Sequence, residues 1–233
     1  MYLLITVLGV GIILSFVMGY KRIILLSHLN KHRVVAGFVS ALALFSLLST
    51  AQWLQLISKQ LAIQTTMLLY CLIAGFFLGF ATKMLQLRKQ AKNEEYIHRS
   101  FWTQTAPSLI ALAIILFGLS RTGLLWLGPY TGIGITSGLS LIGFGCWGFT
   151  INVVPEFRRK GILILDQYVP WPKVVSHSWV SEQVLCIEYY NTADELTDFT
   201  TYIPVEDRYT IEQLLTKKLK EHQEERKKMV TEN

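Results

Sequence analysis

The stretch Thr131–Asp166 reads TGIGITSGLSLIGFGCWGFTINVVPEFRRKGILILD. Its first 23 residues, Thr131 to Val153, carry no charge. At about 1.5 Å per residue that is enough to cross the roughly 30 Å hydrocarbon core of a bilayer. The run gives way at Pro155 and Glu156 to Arg158, Arg159 and Lys160, a basic cluster of the kind found at the cytoplasmic end of a span. From Gly161 the pattern is β-branched and Leu-rich over a few residues, as in a strand. One seam therefore separates a membrane part from a water-exposed part.

Upstream of the seam, four more apolar runs have spanning length: Tyr2–Tyr20, Val34–Ile57, Thr65–Leu85 and Trp102–Ser120. No Asp or Glu precedes Glu94, although nine Lys or Arg do. The connections alternate in basic charge. The first holds four Lys or Arg (Lys21, Arg22, Lys31, Arg33), the second only Lys59, the third Arg88, Lys89, Lys92 and Arg99, and the fourth only Arg121. Alternation of this kind predicts an N-terminus outside and a tail in the cytoplasm. The first run is read as a retained anchor and not a signal peptide, because Lys21 and Arg22 follow it instead of preceding it. The net charge of +6 is accounted for by juxtamembrane residues and calls for no nucleic-acid partner. Arg121 with Trp126 and Tyr130, and Arg158 with Arg159, are candidate interfacial anchors.

The apolar cores of the five runs contain no Asp, Glu or His, which argues against a proton-coupled pump. Cys71, Cys146 and Cys186 form no CxxC or Cys/His pattern, so no disulfide framework or zinc site is expected. The fifth run is glycine-rich. Gly134, Gly138 and Gly145 are candidate contacts for close helix packing, either inside the bundle or against a partner. Ser137-Gly138 resembles part of the serine motif of intramembrane proteases. Thr136 and Ile135 break the rest of that pattern, and no His lies on another span to activate the serine. Glu95 and His98 could offer two metal ligands on one helical face. The bland alternative for their segment, Leu87 to Ser100, is a solvated inter-helix loop. No catalytic, cofactor or metal-binding residues are assigned.

In the tail, strands are expected over Gly161–Asp166, Tyr168–Trp171, Val174–Val180, Val184–Tyr190 and Phe199–Val205. A helix is read from Ile211, Leu214, Leu215 and Leu219 at helical spacing. The core expected from these elements is Ile162, Leu163, Ile164, Trp171, Val175, Trp179, Leu185, Ile187, Leu214 and Leu215. Gly161-Ile162-Leu163, Val169-Pro170-Trp171, Val174, Trp179, Tyr202-Ile203-Pro204 and the Ile211–Leu215 helix together resemble the PH-like tail of small bacterial multi-span membrane proteins of uncharacterised function. His177 stands where that pattern has an aromatic. The resemblance implies a PH-like fold and a bacterial inner membrane, and it carries no catalytic residues. The first hairpin, Leu165 to Tyr168, has no Lys or Arg, which argues against phosphoinositide recognition. Trp171 and Trp179 are candidates for an interaction surface, or else core.

The expected architecture is therefore an α-helical integral membrane bundle of five transmembrane helices (1–154). A small antiparallel β-sheet plus C-terminal helix domain, PH-like, follows (155–219), and then a charged tail (220–233). The expected role is a non-enzymatic assembly, scaffold or regulatory partner of a membrane complex. Its partners would be membrane lipids and a membrane protein or a second copy of itself. A transporter or channel component for a neutral or lipidic molecule is the alternative, and a membrane enzyme the weaker third.

Overall fold

The computed structural model describes residues 2–23, 31–98, 100–124, 130–151, 154–191 and 194–223. The chain divides into two compact units, one of residues 1–86 and 104–151, the other of 87–103 and 152–233. The second unit thus includes the third connection as well as the tail.

Among the described residues, five helices are long and apolar enough to cross a membrane. They are α1 (Tyr2–Tyr20), α2 (Lys31–Trp53), α3 (Lys59–Ala91), α4 (Ala106–Arg121, entered through a π-helical turn at Phe101–Thr105) and α5 (Gly132–Thr150). Local chemistry sets several boundaries. Pro107 lies in the first turn of α4, where free amides make it harmless. Thr131 caps α5 by accepting from the Gly134 amide at 3.0 Å.

Within the first unit α3 touches three other helices. Against α1, a Cβ built at Gly75 would strike the Ile12 carbonyl oxygen, and one at Gly79 the Phe16 carbonyl oxygen. Tyr70 meets Phe45 of α2 with ring centroids 5.6 Å apart. Phe77 meets Trp147 of α5 at 4.9 Å, and a Cβ at Gly143 would lie 2.9 Å from the Ala74 carbonyl oxygen. Glycine thus lets backbones meet where side chains would hold them apart.

The second unit has seven strands among its described residues: β1 (Glu94–Tyr96), β2 (Glu156–Arg158), β3 (Gly161–Ile164), β4 (Gln167–Pro170), β5 (Val174–Trp179), β6 (Val184–Tyr190) and β7 (Leu196–Tyr202). They form two antiparallel sheets, β1-β2-β3-β4 and β5-β6-β7. A 3₁₀ turn at Trp171–Lys173 joins the sheets, and α6 (Val205–Glu221) closes the unit. Glu206 and Asp207 lie in the first turn of α6, Lys218 and Lys220 in the last, which suits the helix dipole. Of the expected charged tail, residues 224–233 lie outside the described residues.

The core joins Phe157, Ile162, Ile164, Val169, Trp171, Val174, Leu185, Ile187, Tyr189, Ile203, Ile211 and Leu215. Two differences from expectation, one in the core and one in a strand end, have local causes. The β5–β6 register shifts between Val174 and Ser176, so Val174 is buried and Val175 is displaced from the inner face. The strand expected to reach Asp166 stops at Ile164, because Leu165 turns left-handed (φ 53°) and Ile164 pairs with Gln167.

A single five-stranded sheet was expected. The two additional strands are three residues each, and one of them, Glu-Glu-Tyr, is too short and polar to show a period of two.

Candidate functional site

The third connection is not a solvated loop. α3 ends at Ala91, Lys92 adopts a left-handed turn (φ 63°), and β1 pairs antiparallel with β2, Glu94 opposite Arg158 and Tyr96 opposite Phe157. The Arg159 amide donates to the Asn93 carbonyl at 3.0 Å, and the Lys160 amide to that of Ala91 at 3.2 Å. A segment some 60 positions upstream thereby completes the first sheet.

Charged side chains fasten this splice. Glu156, 2% exposed, accepts from Arg88 Nη2 at 2.8 Å and from Arg158 Nε at 2.6 Å. The Arg158 guanidinium also reaches Glu94 Oε1 at 2.9 Å and the Lys92 carbonyl at 2.7 Å. The Arg158 carbonyl in turn accepts from Trp171 Nε1 at 2.9 Å. One carboxylate between two guanidiniums, with a second carboxylate at the rim, leaves the buried charges compensated, which burial in low dielectric requires.

A second set ties the same segment to α6. Lys218 Nζ donates to Glu95 Oε1 at 2.9 Å. Tyr96 Oη donates to Asp207 Oδ2 at 2.7 Å, and His98 Nδ1 lies 3.7 Å from that oxygen. Burial, then the Asp207 carboxylate, pushes the Tyr96 hydroxyl well above its usual value, so it stays a donor throughout the physiological range. Glu95 and His98 therefore do not converge on a metal. Strand and coil geometry sends one to Lys218 and the other toward Asp207. Among the described residues no group of three or more His, Cys, Asp or Glu could hold a metal ion.

The other sequence candidates fall as follows. Arg158 is a buried strand residue and not an interfacial anchor, because its guanidinium is enclosed by the ion pairs of the splice. Its neighbour Arg159 is exposed on the turn between β2 and β3. Arg121 is exposed at the end of α4, Tyr130 is 70% exposed, and Trp126 lies outside the described residues. Trp171 is 0% exposed and belongs to the core, not to an interaction surface. Trp179 is half-buried with Arg208 stacked 4.7 Å from its ring centroid, and its Nε1 has no acceptor.

On α5, a Cβ at Gly138 would lie 2.5 Å from the Gly118 carbonyl oxygen of α4. One at Gly145 would lie 2.9 Å from that of Ala111, and one at Gly134 2.9 Å from that of Arg121. Ser137 donates to the Gly134 carbonyl of its own helix at 3.1 Å.

Sequence reasoning missed Glu94, Glu156, Arg88 and Lys218. Glu156 offered one signal, as a lone acid on the apolar side of a basic cluster. Residues 154–220 match the family model of a domain of unknown function, DUF5673. That stretch takes in β2 to β7 and nearly all of α6, and leaves out β1. No curated protein matches the chain, and no solved structure does.

Proposed function

We propose that this chain is a five-span inner-membrane protein of bacteria, N-terminus outside, whose PH-like cytoplasmic domain serves a non-enzymatic assembly, scaffold or regulatory role. The carrying observation is the composite construction of the second unit. A connection between two long apolar helices is a strand of the domain that the chain completes some 60 residues later. A folded domain cannot straddle a bilayer, so α4 and α5 must return the chain to the side it left. That agrees with the alternation of basic charge. Two antiparallel sheets of four and three strands closed by a C-terminal helix support the PH-like reading.

The side chains of the splice favour coupling over chemistry. Glu94, Glu95, Glu156, Arg158 and Lys218 are paired with one another or with Arg88. Such a domain reports whether two distant segments are joined, which suits a regulatory or assembly partner. Gentle affinity purification of the full chain from native membranes tests this. A stoichiometric membrane partner or a self-assembly is expected. Solute flux in vesicles holding only this protein would replace the reading with a transporter.

A further inference from the structure

The first unit has six Lys or Arg in residues 1–86, adds Arg121 in 104–151, and contains no Asp or Glu at all. Its cations must find counter-charge outside the unit. Among them Lys83 is half-buried and held in a fixed place. Its Nζ donates to Gln86 Oε1 at 3.2 Å and lies 5.2 Å from the centroid of the Tyr20 ring. Tyr20 Oη donates to the same Gln86 oxygen at 2.6 Å, and the Tyr20 ring stacks on Phe16. Three side chains from α1 and α3 thus position one ammonium group.

Gln86 Oε1 already accepts from both Tyr20 and Lys83, and an ammonium group has three protons, so Lys83 has donor capacity beyond the bond it gives to Gln86. Lys21 follows immediately on α1. Its amide and that of Arg22 close the last carbonyls of that helix, at 2.9 Å to Val17 and 3.0 Å to Gly19, so the end of α1 offers little competing negative charge. One helical turn before Tyr20, Val17 is 44% exposed. A cationic donor near an open apolar side chain at one helix end matches a ligand with an anionic head and hydrocarbon chains.

We propose that Lys83, held in place by Gln86 and Tyr20, binds the headgroup phosphate of an anionic phospholipid, its acyl chains lying along Val17. The proposal rests on the membrane reading above. A free phosphate would satisfy the donors and leave the apolar flank unused, so a lipid is the source the geometry favours.

The full chain in mild detergent is titrated with phosphatidylglycerol, phosphatidylcholine or inorganic phosphate, with bound lipid counted by native mass spectrometry and thermal unfolding followed in parallel. Phosphatidylglycerol should be retained and raise the unfolding temperature, and the other two should do neither. Lys83→Gln should weaken retention by about fivefold, the scale of one basic residue at an anionic surface. Lys83→Arg should retain it, and Lys59→Gln, on the second connection, should be silent. Equal retention by Lys83→Gln and the parent, or equal retention of phosphatidylcholine, overturns the site. Protection by inorganic phosphate alone overturns the lipid assignment. Alkaline carbonate washing of native membranes separates the two levels: release of the chain would sink the membrane reading itself, whereas a retained chain with an indifferent Lys83→Gln sinks only the site.

Discussion

Glu156 is the residue on which the splice depends most. It pairs with both Arg88 and Arg158 and is itself almost fully buried. Removing one member of a buried pair leaves an uncompensated charge, which costs about 3–5 kcal/mol. Glu156→Ala should therefore destabilise the tail domain by that order, read as earlier chemical unfolding of the full chain and faster proteolysis within 154–220. Arg159→Ala, one turn away and exposed, should change little. His177 gives a pH signature. Burial lowers its pKa, partly offset by Glu212, so the folded domain holds it neutral while the unfolded chain titrates near 6.5. The unfolded state then binds more protons between the lowered value and about 6.5, so stability is full above that window and falls as pH drops through it. Unfolding midpoints at pH 7.5 and 5.5 should differ less for His177→Gln than for the parent.

At the scale of elements, α5 separates glycines that cannot be replaced from those that can. A side chain at Gly138 would meet the Gly118 carbonyl and Thr122 of α4, whereas one at Gly132 would meet the flexible end of Met67, and one at Gly9 of α1 nothing within 4 Å. Overpacking typically costs about 1–3 kcal/mol. Gly138→Leu should accordingly lower the detergent melting temperature of the isolated protein, Gly132→Ala should lower it less, and Gly9→Ala should leave it unchanged or raise it. An unmoved melting temperature for Gly138→Leu would deny the α4–α5 contact. The long helices were legible in the sequence because composition alone reveals a run of spanning length. The strands from β3 to β7 were legible as short β-branched, aromatic or alternating runs bounded by turn residues, although β7 starts at Leu196 and not at the expected Phe199. β1 and β2 were not, since three residues hold less than two periods of alternation, and their charges read as solvated while the partner lay 60 positions away. Arg158 and Arg159 looked equivalent for the same reason. Only pairing across β1 and β2 turns one inward and leaves the other in water.

At the scale of the whole molecule, the composite domain converts a local pairing into a statement about topology. Glu94 opposite Arg158 requires the third connection and the tail to share one compartment, whatever the spans do between them. Charge alternation predicts that the second connection, with Lys59, lies in the other. With Cys71, Cys146 and Cys186 replaced, a cysteine at Lys59 should react with an impermeant thiol reagent in intact cells. Cysteines at Lys92 and Glu195 should react only after the membrane is opened. The two inner sites should also behave alike in every variant that preserves β1. If Lys92 labels from outside while Glu195 does not, the β1–β2 splice cannot exist in the membrane, and the tail would fold without its upstream strand. If both label from outside and Lys59 does not, the splice survives and the orientation inverts, which would set the basic clusters against the usual charge bias. Joint protection of Lys92 and Glu195 with an open Lys59 is the outcome expected, because it alone satisfies the hydrogen-bonded strand pair and the distribution of Lys and Arg together.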